Sequence, residues 1–371
     1  MKQVLKKTLL AGAAFLALAA SLPAPLPAHA QGKEVNTVVS SEMATIDPAK
    51  ASDAPSGNII HNVFEGLTRE SQDFKSQVPG VAESWQVSED GKTYTFKLRS
   101  DAKWSNGDPV TAGDFEYAWK RVINPETGAD YAGLFFVIEG AQAYNEGKGS
   151  ADQVGVKAVD DTTLEVKLAN PTAYFLSLTS FYAFAPVNKK VVEANADWAD
   201  DLSDKYVTNG AFKLAEWNHN SDIALEKNDQ YWDKDNVKVD RVNAQIVESD
   251  ATVTKMFQSG EIDFVSAPFG TLSLDSFEGF KKQGILNVTP QSAIYVYKFN
   301  TKDSVMSNVN IRKALALAID RQGLVTNITK AKNLLRGLYQ LQLLDSKQTL
   351  TTSRMPTMKA PKNTWLRVYK N

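Results

Sequence analysis

Residues 92–122 constrain the fold more tightly than any other stretch of this chain. From Lys92 to Arg99 the side chains alternate. Tyr94, Phe96 and Leu98 fall on one side, and Thr93, Thr95, Lys97 and Arg99 on the other. Successive strand residues point to opposite faces, so the alternation predicts a half-buried β-strand. Asn106, Gly107, Asp108 and Pro109 predict a turn. Thr111 then stands where a helix needs its N-cap, with Asp114 near the positive end of the helix dipole. Phe115, Ala118, Trp119 and Val122 share one helical face. A second alternating strand is expected at Thr163–Leu168, with Leu164, Val166 and Leu168 on its apolar side.

The flanking sequence extends this mixed α/β pattern. A short strand is expected at Val35–Ser40 and a turn at Asp47-Pro48. Ile59, Val63, Phe64 and Leu67 follow with helical spacing. Beyond residue 186, Phe212 and Leu214, Ile223 and Leu225, and Val242, Ala244 and Ile246 predict strands. Val253, Met256 and Phe257 predict a helix, Tyr295–Asn300 a strand, and Ile311–Ile319 an apolar helix. There is no internal repeat. At about 100–200 residues per domain, 371 residues allow two or three domains.

The N-terminus carries the marks of an export signal. Lys2, Lys6 and Lys7 precede an apolar run from Leu9 to Ala20, and Ala28-His29-Ala30 has the form of a cleavage site. Gln31 would then begin the mature protein. The run is short for a bilayer span, and prolines 23, 25 and 27 follow it. The chain has no cysteine, which excludes disulfides, thiolate catalysis and Cys-ligated zinc. A formal net charge of −2 gives no field suited to nucleic acid.

Catalytic signatures are scarce. His61 and His219 have no ligand neighbour at helical spacing and read as surface or core histidines. No nucleophile-elbow motif occurs. Gly147-Lys148-Gly149 lacks the rest of a phosphate loop and reads as a surface loop. Asp160-Asp161, Asp200-Asp201 and the acids near Asp233 read as solvated turns. Aromatic residues crowd one region: Tyr131, Phe135, Phe136, Tyr174, Phe175, Phe181, Tyr182 and Phe184. Most must be core, and a minority could line an apolar cleft. No cofactor is expected.

The spaced series Val81-Ala82-Glu83-Ser84-Trp85, Tyr94-Thr95-Phe96-Lys97-Leu98-Arg99, Ala102-Lys103-Trp104-Ser105-Asn106-Gly107 and Pro109-Val110-Thr111-Ala112 with Asp114-Phe115 resembles the peptide-binding (family 5) solute receptors of bacterial ABC transporters. Ile46-Asp47-Pro48, Phe64-Glu65-Gly66-Leu67, Asn209-Gly210-Ala211-Phe212, Tyr231-Trp232, Gly260-Glu261-Ile262-Asp263 and Asn310-Ile311-Arg312-Lys313-Ala314-Leu315 extend the resemblance over about residues 34–328. It implies a periplasmic-binding-protein-like two-lobed clamshell with an extra domain. The first lobe would comprise 33–69 and 186–290, the extra α+β domain 70–185, and the start of the second lobe 291–328. It also implies that peptides are held through their backbone in the interlobe cleft. Ser52, Asp53 and Ala54 match the segment that pairs with the peptide, and Tyr131 matches an aromatic contact from the extra domain. The implied partners are peptides and the membrane permease of an ABC transporter, with the receptor itself a monomer. Main-chain pairing is indifferent to side-chain identity, and bridging water tolerates variety.

Two departures stand out. Leu18-Ala19-Ala20 is followed by Ser21, where lipid-anchored members carry cysteine, so an unanchored protein of the periplasm or cell exterior is expected. Residues 329–371 hold nine Lys or Arg and one acid, Asp345, and do not resemble the family's second lobe. This stretch is expected to be an aberrant basic tail, with the C-terminal lobe mostly missing and peptide binding weak or absent. Three alternatives remain: the same fold binding a dipeptide, glutathione, haem or a nickel complex; a secreted hydrolase with a carboxylate pair; and a surface adhesin or receptor using the basic tail.

Overall fold

The computed structural model describes residues 32–71, 75–266, 269–289, 297–324 and 365–369. The described residues from Glu34 onward belong to one compact unit. This unit begins with β1 (Glu34–Val39), α1 (Ala54–Val63) and the small antiparallel pair β2 (Thr68–Glu70) and β3 (Gln77–Pro79).

β4 (Ala82–Val87) and β5 (Thr93–Leu98) come next, then α2 (Ala112–Ile123), β6 (Val156–Asp160) and β7 (Thr163–Lys167). The four strands form an antiparallel sheet in the order β4-β5-β7-β6. Its register places Tyr94 opposite Val166 and Phe96 opposite Leu164. All four side chains are buried, as the alternation requires. α2 starts at Thr111 with a reciprocal cap. The Asp114 N–H donates to Thr111 Oγ1 at 3.3 Å, and the Thr111 N–H donates to Asp114 Oδ2 at 2.9 Å. Asp114 also accepts from the Trp104 indole at 3.2 Å and from the Lys189 N–H at 3.0 Å. One capping residue thus ties the preceding turn and a distant segment to the helix start. α2 lies on β6 and β7 through the apolar face expected from its spacing. Trp119 on that face meets Phe115, Phe135, Phe175 and Phe184 edge to face. Of the crowded aromatics, Phe135, Phe175, Tyr182 and Phe184 are core, Tyr131, Phe136 and Phe181 are half-buried, and Tyr174 is exposed.

The second large sheet has the order β1-β10-β9-β8, from β8 (Phe212–Asn218), β9 (Asp222–Lys227) and β10 (Arg241–Ile246). β1 and β10 are parallel, with Val35 opposite Val242, and the other pairings are antiparallel. A parallel pair cannot be joined by a tight hairpin. Here the intervening chain contains the whole β4–β7 sheet. α3 (Asp250–Ser259) is capped by Ser249 and ends at Gly260, whose φ of 81° is left-handed. Val253, Met256 and Phe257 on α3 pack with Val38 of β1 in a smaller core. β11 (Phe264–Ser266), β12 (Leu286–Thr289) and β13 (Trp365–Tyr369) make a three-stranded sheet with β13 central. Residues 297–300 form no strand, so the expected Tyr295–Asn300 strand is not realised there, and residues 295 and 296 lie outside the described residues. α4 (Val309–Ala318) covers the predicted apolar helix, yet none of its residues is buried. Residues 329–364, 370 and 371 lie outside the described residues.

The two four-stranded sheets meet at Phe64-Glu65-Gly66-Leu67. The Glu65 carboxylate accepts from the Tyr231 hydroxyl at 2.5 Å and the Trp232 indole at 2.7 Å. The Asn209 side chain bonds the Glu65 backbone twice, accepting its N–H at 3.1 Å and donating to its carbonyl at 3.0 Å. The carbonyls of Gly66 and Leu67 accept from Val81, Gly80 and Ala82. Arg69 reaches Glu65 at 3.5 Å and Asp233 at 3.2 Å, and the Arg99 guanidinium lies over the Trp232 ring. At Gly66 a Cβ would stand 2.3 Å from the Thr179 carbonyl oxygen, so no larger residue fits without backbone movement.

Two predictions follow from this junction. Gly66→Ala should lower stability by about 1–3 kcal/mol, read as a lower urea midpoint with an unchanged slope; an unchanged midpoint would contradict the close approach. The second concerns pH. Burial lifts the Glu65 carboxyl above its ordinary pKa, outweighing the Tyr231 and Trp232 hydrogen bonds and the Arg69 and Arg99 charges that lower it. A raised folded-state pKa stabilises fully below the unfolded value, and that contribution is lost as pH rises through the folded value. Glu65→Gln should therefore flatten the decline in melting temperature above about pH 4.5. A wild-type curve without that decline would reject the assignment.

Candidate functional site

The candidate strip, Ser52-Asp53-Ala54, is held from behind by a buried ion pair. Asp47 is almost wholly enclosed, and its carboxylate takes the Arg121 fork from α2, at 2.8 Å on Oδ1 and 2.5 Å on Oδ2. Such a bidentate pair fixes direction as well as distance. Asp47 also closes its own turn. Its Oδ1 accepts the Ala49 N–H at 2.9 Å, and its carbonyl accepts the N–H groups of Lys50 and Ala51, both at 3.0 Å. The Tyr206 hydroxyl holds the Ile46 carbonyl at 2.8 Å.

The chain passes from this turn through Ser52 and Asp53 into α1, which begins at Ala54. Ala51 is buried, Ser52 and Ala54 are exposed, and Asp53 lies between. Asp53 has β-region dihedrals and caps α1, its Oδ1 accepting the Ser56 N–H at 2.8 Å. Pro55 in the first turn suits this start, since its missing N–H would have had no helical partner. Among the described residues, the N–H groups of Ser52, Asp53 and Ala54 have no acceptor. The neighbouring carbonyls are occupied. Ala51 accepts from the Tyr182 hydroxyl at 3.3 Å, Ser52 from the Tyr131 hydroxyl at 3.4 Å, and Asp53 from the Gly57 N–H at 3.1 Å.

Tyr131 therefore meets the Ser52–Ala54 strip in space, although 77 positions separate Ala54 from Tyr131 (131 − 54). Its neighbour Asp130 accepts from Ser52 Oγ at 2.5 Å. Its ring stands edge to face with Phe181 at 5.2 Å and with Tyr182 at 6.0 Å. Gly57 makes this possible, because a Cβ there would lie 2.5 Å from the Tyr182 ring. His61, one helical turn further along α1, meets Phe181 and Tyr182 edge to face. Part of His61 reaches solvent, yet its packing against these rings strips hydration and lowers its pKa. Burial pushes the Tyr182 phenol up, helped by the neighbouring Tyr131. Asp130, Gly57, His61, Phe181 and Tyr182 were not identifiable as site residues from sequence. Phe181 and Tyr182 stood out only as part of the aromatic crowd, and nothing local separated them from the core rings.

A cavity of about 510 Å³ is lined by Lys50, Tyr117, Lys120 and Arg121, among others. Lys120 is paired with Glu116 and Arg121 with Asp47, so two of those cations are already neutralised. Among the described residues no cluster of His, Asp and Glu gathers as metal ligands, and no helix is long and apolar enough to cross a membrane.

The sequence profile of the bacterial extracellular solute-binding proteins, family 5 (middle), matches residues 76–351. The chain belongs to this family. The match runs past residue 328, beyond the stretch over which the motifs were recognised. Oligopeptide-binding protein OppA of Bacillus subtilis is 47% identical over 300 residues, covering 81% of this chain and 55% of that protein. Periplasmic oligopeptide-binding protein OppA of Salmonella typhimurium is 36% identical over 339 residues, covering 88% and 61%. The crystal structure of Haemophilus influenzae OppA in complex with RPPGFSPFR superposes with a TM-score of 0.76 at 35% identity, covering 82% of this chain and 59% of that one. The chain thus spans little more than half the length of the relatives it matches. The periplasmic-binding-protein-like α/β fold expected from the motifs is the fold of these neighbours.

The Asp47–Arg121 pair is the support that mutation can test. Arg121→Met should cost about 3–5 kcal/mol, because it leaves a buried carboxylate unpaired. Asp47→Asn combined with Arg121→Met should recover much of that loss. Equal urea midpoints for the single variant and the wild type would show that the pair does not hold the turn.

Proposed function

We propose that this chain is the exported solute-binding component of a peptide ABC importer, and that it holds peptides by their main chain along Ser52-Asp53-Ala54. One observation carries the reading: among the described residues, three successive N–H groups leading into the first turn of α1 lack acceptors, while the carbonyls around them are engaged. An extended peptide laid along that edge would supply the missing acceptors. Tyr131 would close over it from the side. The names of the relatives, oligopeptide-binding and dipeptide-binding proteins among them, support the same class of ligand. The role is one of binding and delivery, without catalysis. The partners are peptides and a membrane permease, the receptor acts as a monomer, and nucleic acid plays no part.

In this reading residues 33–69 and 186–290 make the first lobe, residues 70–185 the extra domain, and residues 291–328 the start of the second lobe. The layout of the two four-stranded sheets supports that division. The signal would be removed after Ala30, and Ser21 would leave the mature protein in the periplasm or cell exterior without a lipid anchor. The Ser52–Ala54 edge is a single wall, so binding to it alone should be of about millimolar strength, worth about 4 kcal/mol.

Amide NMR of the full chain tests the strip. Tri-alanine at about 10 mM, enough to populate a millimolar complex, should shift the amides of Ser52, Asp53 and Ala54. A tri-alanine analogue whose carbonyls are replaced by methylenes should not. Shifts confined to other parts of the chain, or none, would reject the strip as the binding edge.

A further inference from the structure

The rings beside the strip form an array with one side left open. Tyr131 meets Phe181 at an interplanar angle of 84° and Tyr182 at 75°, and His61 meets Phe181 at 74° and Tyr182 at 82°. Edge-to-face contact sets the positive rim of one ring against the negative face of the next. Four rings repeating this relation make a small herringbone. Tyr182 is its buried member, fixed over Gly57 with its hydroxyl on the Ala51 carbonyl. Phe181 and Tyr131 are half-buried, and His61 is exposed. The hydroxyl of Tyr131 points to Ser52, so the array begins at the strip.

Resting on the peptide-strip reading, we infer that Phe181, with Tyr131 and His61, forms a side-chain subsite that takes an aromatic residue of the bound peptide. A ligand ring entering here would continue the herringbone. It would cover the remaining open surface of Phe181, while the ligand's main chain stayed on Ser52–Ala54. The lowered pKa of His61 suits this role, since an uncharged imidazole packs against an apolar ring without losing ion hydration. Phe181 is a specificity residue in this scheme. It has no hydrogen bond to offer, so it discriminates only by contact.

The test is saturation-transfer NMR on the full chain with Ala-Phe-Ala and Ala-Ala-Ala, each titrated to give a dissociation constant. The wild type should prefer Ala-Phe-Ala, with strong saturation of the ligand ring. Phe181→Ala should reduce that preference by about 3–10-fold, the range for one aromatic pair. Phe181→Leu, which keeps apolar bulk and protects the fold, should reduce it too. A wild type that binds both peptides equally, or a preference that survives both substitutions, overturns the subsite and leaves the strip standing. With Ala-Lys-Ala titrated as a third peptide, a preference for it that vanishes with Phe181 would assign the rings to a cation and overturn the aromatic assignment. Failure to bind any of the peptides would overturn subsite and strip together.

Discussion

The Glu65 carboxylate is the interaction on which the rest of this structure depends. It is a buried charge, and a buried charge is tolerable only when its lone pairs are filled. Tyr231 and Trp232 fill them from one segment, Arg69 approaches from the side, and Asn209 holds the Glu65 backbone from another segment. The residues on either side of Glu65 continue the work without side chains. Gly66 approaches the Thr179 carbonyl too closely for a Cβ, and its own carbonyl and that of Leu67 bind residues 80–82. Four stretches of chain, far apart in sequence, are fixed to one another within a few residues. These bonds tie the segments that flank the two sheets to one another.

The candidate site follows the same design on a smaller scale. Asp47 is buried, its carboxylate is saturated by Arg121 and Ala49, and its carbonyl closes the turn that feeds the strip. Arg121 belongs to α2, which is capped by Thr111 and Asp114 and seated on β6 and β7. The position of Ser52–Ala54 is therefore inherited from the inserted sheet, through one ion pair and one helix. Tyr131 is delivered by the same region of chain. Both halves of the site share a single support, so they cannot drift apart independently.

Much of this was legible in the sequence where the signal is local. The alternation of Tyr94, Phe96 and Leu98, the Thr111 cap and the Phe115–Trp119–Val122 face each depend on neighbours within a few positions, and each is realised. The helix expected from Val253, Met256 and Phe257 is likewise realised as α3. The motif Phe64-Glu65-Gly66-Leu67 was visible as a resemblance, but its purpose was not. Nothing near Glu65 in sequence announces Tyr231, Trp232 or Asn209. Likewise, Phe181 beside Tyr131 could not be told from Phe135 or Phe175, because the choice between core and wall is made by what packs across from it. The strand expected at Tyr295–Asn300 fails over 297–300, where Tyr297 is exposed.

The hydrogen-bond balance along residues 51–54 gives the strip a polarity. Its carbonyls are already engaged by Tyr182, Tyr131 and the first turn of α1, while its amides remain open. It is an edge that gives protons and asks for none. A ligand laid against it must bring carbonyl oxygens, which every peptide unit has, but need not bring amide hydrogens. Proline, which interrupts an ordinary strand by lacking its N–H, would be no obstacle along such an edge.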